Sequence, residues 1–301
     1  MPKNYLLDTV QILISSKHSL KQETVFINNG QIKAFGKEAL ELGKKFGVRA
    51  QSAKEKILAP CLVDPHSTVE DLLNGQSENL GSLQQHAIEG GYGRIAILPQ
   101  SIYKRDSPEH FNLFSRLNTE ILIDLWANFS QVDEKDALSP HSELIKNGAI
   151  GLAGNTSQLP VELIKQGFLL GEMQERPILL APQNKKIQGN GLVRESVETL
   201  RAGWPPDPVA SETIPLSQLL EIHRQHPDIA MRLMNISTYS GVDILEKCKT
   251  RPIASASWWN LIADTSTLTP YDIGWRVLPS LGGPKDRESL RKGLEKEILI
   301  A

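Results

Sequence analysis

From residue 57 onward the chain alternates short apolar runs with longer segments of helical spacing. The runs at 57–63, 94–98, 120–127, 149–153, 177–181, 230–236 and 252–257 read as strands. Among them, 80–89, 109–117, 160–175, 216–226 and 242–249 read as helices. Gly90-Gly91 and Gly148 stand where such helices end and a left-handed residue is wanted. Strands alternating with helices at this spacing predict a parallel sheet with crossover helices. Seven units without a linker favour a (β/α)8 TIM-type barrel over a doubly wound sheet. An eighth strand can begin only at 297–301, so the count stands one strand short of closure.

Residues 1–58 follow a different pattern. Residues 5–15 alternate weakly, and 24–28 run into the turn pair Asn29-Gly30 and then 31–35, the signature of a hairpin. The predicted organisation is a small β-strand module over 1–58 and a barrel over 59–301. The class is α/β, with the barrel incomplete at its C-terminus. Open strand edges are costly. The chain is therefore expected either to be a fragment of a longer one or to have its gap covered by a partner.

Composition narrows the function classes. The chain has 301 residues, of which 40% are hydrophobic and 23% charged, with 33 Lys plus Arg against 35 Asp plus Glu. The net charge of -2 points neither to nucleic acid nor to an anionic membrane. Cys61 and Cys248 lack metal-type spacing and read as reduced, buried or semi-buried thiols. No stretch has the length of a signal peptide or bilayer span, which predicts a cytoplasmic protein.

Barrel chemistry sits at the C-terminal ends of strands. The first strand ends Ala-Pro-Cys-Leu-Val-Asp-Pro-His-Ser-Thr, residues 59–68. This resembles the opening of the amidohydrolase superfamily, Pro-Gly-x-x-Asp-x-His-x-His, whose two histidines point to one side of a strand and grip a metal. Asp64 and His66 match, Thr68 takes the place of the second histidine, and Cys61 that of the usual glycine. Residues 81–101, 148–155, 231–242 and 276–290 also resemble segments of zinc-dependent dihydroorotase, in order and spacing.

Against that family the ligand positions have changed. The histidine ending the fifth strand is replaced by Ala181 and the one before Ser-Thr by Asn235. Residues 153–155 carry no acid or lysine to bridge metals, and Glu70 replaces the arginine that would hold a substrate carboxylate. Residues 278–282 depart from the family's Asn-Pro-Pro-Leu-Arg, and no Asp-His-Ala-Pro run supplies a general base. Zinc needs three or four converging donors. Only His66 remains, as a vestigial ligand or a polar residue satisfied at a strand end. Asp64 reads as structural. His66, Gln100 and Asn235 are the candidates for a substrate pocket, with no catalytic residue and no cofactor expected. Zinc is expected only if the chain is an active cyclic amidohydrolase.

Three functions follow. The first is a non-catalytic dihydroorotase-like protein with a structural or regulatory role, its partner aspartate transcarbamoylase or a second copy. The second is an active zinc-dependent dihydroorotase or related cyclic amidohydrolase, and the third a small-molecule binding module. Trp258 and Trp259 read either as a plug of the former site or as ordinary packing. The Pro-rich segment 203–214 reads as a loop at the functional face or on the surface. The remaining helix and loop histidines read as solvated.

Overall fold

A computed structural model describes residues 4–13, 20–69, 71, 76, 78–99, 103–112, 119–133, 136–157, 159–173, 175–266 and 273–300. The chain divides into two compact units, Met1–Val63 with Gly91–Gly93, and Asp64–Gly90 with Arg94–Ala301.

In the first unit, β1 (Asn4–Ile12), β2 (Lys21–Asn28), β3 (Gln31–Phe35), β4 (Ala50–Ser52) and β5 (Ile57–Leu58) form one sheet. β1–β2 and β2–β3 pair antiparallel, while β4 and β5 run parallel to β1. The β2–β3 turn has Asn29 at φ 48° and Gly30 at φ 75°, the double left-handed backbone that selects this residue pair. A helix, α1 (Gly36–Lys45), was not apparent in the sequence. It buries only Ala39 and Gly43, and a Cβ on Gly43 would lie 2.5 Å from Leu6 Cδ2. Close approach by small residues leaves a weak apolar stripe. The expected first barrel strand over 57–63 is split, because Pro60 cannot donate to a ladder. Ile57–Leu58 joins β1, and the next strand starts at Leu62.

The second unit is built on β6 (Leu62–Ser67), β7 (Tyr92–Ile97), β8 (Leu122–Leu125), β9 (Ala127–Asn128), β10 (Leu152–Asn155), β11 (Ile178–Ala181), β14 (Met231–Leu233) and β15 (Ile253–Ala254). Two short strands, β12 (Val193–Arg194) and β13 (Pro206–Asp207), pair separately. The orders β6-β7-β8 and β9-β10-β11-β14-β15 meet across Trp126, the one residue between β8 and β9, giving a wall of seven strands. The five pairings from β7–β8 to β14–β15 are parallel. Ile300 then bridges Ser255 in parallel, so an eighth position begins at the last described residue. The helices are α2 (Leu80–Glu89), α3 (Pro108–Asn112), α4 (His141–Lys146), α5 (Val161–Leu170), α6 (Lys185–Gln188), α7 (Val197–Arg201), α8 (Ala210–Gln225), α9 (Tyr239–Lys247), α10 (Trp258–Ile262) and α11 (Pro284–Glu295). This is the TIM-type α/β barrel that the alternation predicts.

The wall is apolar on both faces, which explains the unbroken apolar runs. Ile97, Leu125, Leu152, Ile178, Leu180 and Leu233 pack outward with helix residues such as Ile164, Leu219 and Leu245. Their neighbours Ala96, Leu98, Trp126, Ala153, Leu179, Ala181 and Met234 pack together on the inner face. Trp126 is the bulk of that inner cluster; its Nε1 donates to Pro65 O at 2.9 Å.

Several sequence readings are corrected. α8 starts at Ala210 rather than at 216 and runs through Pro215, so it takes in the end of the segment 203–214 read as a loop. His141 and His223 are buried, because each sits on a helix face turned to the core. His141 Nε2 lies 2.7 Å from Phe129 O. Cys61 is exposed rather than buried. His18 lies outside the described residues.

Candidate functional site

The C-terminal ends of the barrel strands hold a layer of polar side chains. At β6, Asp64 is committed to its own strand end. Its Oδ1 accepts from His66 N at 2.9 Å and its Oδ2 from Ser67 Oγ at 2.6 Å. His66 Nδ1 lies 3.4 Å from Ser255 Oγ, at the end of β15. Burial pushes the His66 imidazole down to about 4; Arg232 adds to the shift and Asp64 opposes it. The ring is therefore neutral at physiological pH.

The ends of β10 and β11 are tied by neutral groups. Asn155 Nδ2 donates to Gln183 Oε1 at 2.6 Å, and Gln183 Nε2 donates to Gln188 Oε1 at 2.8 Å. Thr156 Oγ1 and Ser157 Oγ both donate to Gln183 O at 2.7 Å. Asn184 caps α6, accepting from Lys186 N and Ile187 N. Ala181 is buried at the strand end and offers only a methyl group.

At β14 the chain turns sharply. Asn235 has φ 67°, a left-handed conformation that asparagine tolerates better than most residues. The turn delivers Ser237 and Thr238 to Glu212, which is buried near the start of α8. Glu212 Oε2 accepts from Ser237 N at 2.9 Å and Ser237 Oγ at 2.6 Å, and its Oε1 from Thr238 Oγ1 at 2.7 Å. Arg194 is the counter-ion. It reaches Glu212 Oε2 at 3.2 Å and Asp207 Oδ2 at 3.0 Å, with Ser211 Oγ and Ser237 Oγ at 2.7 and 2.9 Å. All three charged side chains are at most 5% exposed. Beside them opens a small cleft of about 30 Å³, bordered by Ala181, Gln183, Gln188, Asn235 and Ser280. At the end of β7, Arg105 is wholly buried and donates to Ile97 O at 2.9 Å and to Leu98 O. Burial holds its guanidinium down at about 9.

The resemblance implies zinc, and these residues do not fit it. Among the described residues no three His, Cys, Asp or Glu side chains converge on a common point. Thr68 is exposed, Ala181 has no donor, and Asn235 borders the cleft with a neutral amide. The two buried carboxylates at the cleft are already engaged, Asp207 by Arg194 and Ser211, and Glu212 by Arg194, Ser237 and Thr238.

Of the expected pocket residues, Asn235 lines the cleft and His66 contacts Ser255 instead. Gln100 lies outside the described residues, as does Glu70. Trp258 and Trp259 do not plug the site. They are 52% and 37% exposed and stack on each other at 3.9 Å, with Trp275 edge-on at 5.5 Å. The sequence reading missed Arg194, Asp207 and Glu212. Asp207 and Glu212 lie in the Pro-rich segment 203–214, whose two acids were the available signal.

His66 gives the site a pH signature. Its imidazole titrates near 4 when folded, below the 6.5 of the unfolded chain, so the unfolded state takes up the proton first as pH falls. Stability is thus expected to drop between pH 6.5 and 4 and to level off below, by on the order of 3 kcal/mol from this group. Urea melts of the protein and of His66→Gln across that range check it. Parallel curves for the two proteins would show that His66 contributes nothing.

The comparisons place this geometry. No protein-family model matches the chain. It is 28% identical to a probable dihydroorotase-like protein of Synechocystis sp., over 81% of this chain and 63% of that one. It is 23% identical to a dihydroorotase of Thermus aquaticus, over 79% and 58%. A dihydroorotase of Listeria monocytogenes is 24% identical over 96% and 68%. The chain thus spans about three-fifths of the length of the first two. In structure it matches an L-hydantoinase (dihydropyrimidinase) from Arthrobacter aurescens with a TM-score of 0.76 at 13% identity, covering 98% of this chain and 67% of that one. In sequence the chain is similar to dihydroorotases and a dihydroorotase-like protein, and its fold is the α/β barrel of that hydantoinase.

Proposed function

We propose that this dihydroorotase-like chain is non-catalytic and serves a structural or regulatory role. The observation that carries the reading is the neutral hydrogen-bonded layer at the strand ends. Ala181 and Asn235 stand where the resemblance puts ligands, and the buried carboxylates beside the cleft, Asp207 and Glu212, are engaged by Arg194, Ser211, Ser237 and Thr238. A metal-activated hydroxide needs ionised or imidazole donors that this layer does not supply. The resemblance makes aspartate transcarbamoylase, or a second copy of the chain, the natural partner, within the cytoplasm. No helix among the described residues is long and apolar enough to cross a membrane.

Two measurements test this. Elemental analysis after dialysis is expected to find well under one zinc per chain. Hydrolysis of dihydroorotate and cyclisation of carbamoyl aspartate are expected to run at the uncatalysed rate. One or two retained zinc ions with turnover would establish an active cyclic amidohydrolase instead. Co-elution with aspartate transcarbamoylase in size-exclusion chromatography tests the partner.

A further inference from the structure

At the opposite, N-terminal ends of β14 and β15 lies a second cleft, of about 680 Å³ and open to solvent. Its charged and titratable lining is Arg232, Lys249, Arg251 and His223, and no acidic side chain lines it. Three cations converging on one concavity raise the local concentration of anions. Arg232 is half-buried on β14 and makes no hydrogen bond or ion pair among the described residues. Arg251 spends one donor on Glu297 O at 3.3 Å, leaving the rest of its guanidinium fork open. Lys249 is exposed.

His223 supplies an independent observation. It is 7% exposed, its Nδ1 has no hydrogen-bond partner, and it lines this cleft. That nitrogen lies out of solvent's reach, so His223 forms part of the wall and reports occupancy of the cleft rather than gripping a ligand. Apart from Thr250 the rest of the lining is apolar, with Ile229, Pro252 and the half-exposed Ile253 beside the cations. A bare inorganic anion would leave those walls wet.

We propose that this cleft binds a phosphorylated small molecule. Its phosphoryl group is held by Arg232, Lys249 and Arg251, beside the His223 ring, and its apolar body lies on Ile229 and Ile253. Guanidinium groups match phosphoryl oxygens in bidentate geometry, which favours phosphate esters over monocarboxylates. Catalytic sites of such barrels sit at the other face, so this is a binding site separate from the cleft at Asn235. It does not depend on whether the chain is catalytic.

The test is calorimetric titration of the full chain with phenyl phosphate, inorganic phosphate and benzoate at constant ionic strength, with the His223 imidazole followed by NMR. Phenyl phosphate is expected to bind saturably and at least tenfold tighter than either control, moving the His223 signals. Lys249→Gln with Arg251→Gln, both on exposed side chains, should weaken it at least tenfold without changing the melting temperature. Absence of saturable binding overturns the proposal, as does affinity that survives the double substitution. So does binding that leaves His223 unmoved, or benzoate binding as tightly as phenyl phosphate.

Discussion

Arg194→Met is expected to destabilise the second unit by about 3–5 kcal/mol, because it leaves two buried carboxylates facing each other without their cation. Asp207 and Glu212 lie within 3.0 and 3.2 Å of the guanidinium and are almost fully out of water. Methionine fills most of the volume, so the loss reports charge and hydrogen bonding rather than a cavity. The damage should reach the end of β14, since Ser237 Oγ also accepts from Arg194 Nη2 at 2.9 Å. Removing both carboxylates as well, in Arg194→Met with Asp207→Asn and Glu212→Gln, should recover part of the loss. Arg224→Met is the control. Its pair with Glu221 lies on the surface, so its loss should leave the denaturation midpoint almost unchanged. Urea denaturation of the three proteins decides the matter; a loss below about 1 kcal/mol for Arg194→Met would mean that the cluster is solvated.

Trp126→Ala is expected to cost a comparable 3–5 kcal/mol, the usual range for emptying a large buried aromatic site. The ring fills the inner face of the wall against Ala153, Leu179 and Met234, and Nε1 also holds Pro65 O on the strand that ends in His66. A Cβ added to Gly151 would lie 2.6 Å from Trp126 Cζ3 and 2.3 Å from Pro177 O, so the backbone there is already set by the ring. The vacated space is lined by alanine, leucine and methionine and should stay dry. Denaturation midpoints check the loss, and binding of xenon or benzene to the variant checks the cavity. A variant that matches the parent in stability would show that the inner layer collapses without strain.

The barrel was legible because the central wall strands, β11 above all, are buried on both sides and write unbroken apolar runs into the sequence. The hairpin at Asn29-Gly30 was legible because its turn geometry restricts the residues allowed. What escaped depends on close approach or on distant partners. The helix α1 packs through Ala39 and Gly43, which carry almost no hydrophobic signal. The ion cluster joins Arg194 on β12 to Asp207 on β13 and Glu212 on α8, and nothing local in the sequence says that these charges meet out of water. His141 and His223 were misread for the same reason: helical spacing places them on a face, but neighbouring elements decide whether that face is wet.

Four of the five tryptophans, all but the half-buried Trp204, fall into two optical groups. Trp126 is enclosed in the barrel wall, whereas Trp258 and Trp259 stack face to face in water with Trp275 across their edge. The outer pair, with ring centres 3.9 Å apart, is close enough for excitonic coupling, which appears as a paired signal in circular dichroism. Iodide in solution should quench this outer group first, while the enclosed indole emits to the blue and stays shielded until the wall opens. Loosening of the surface near α10 and loss of the barrel can then be followed as two separate colours of the same protein's own light.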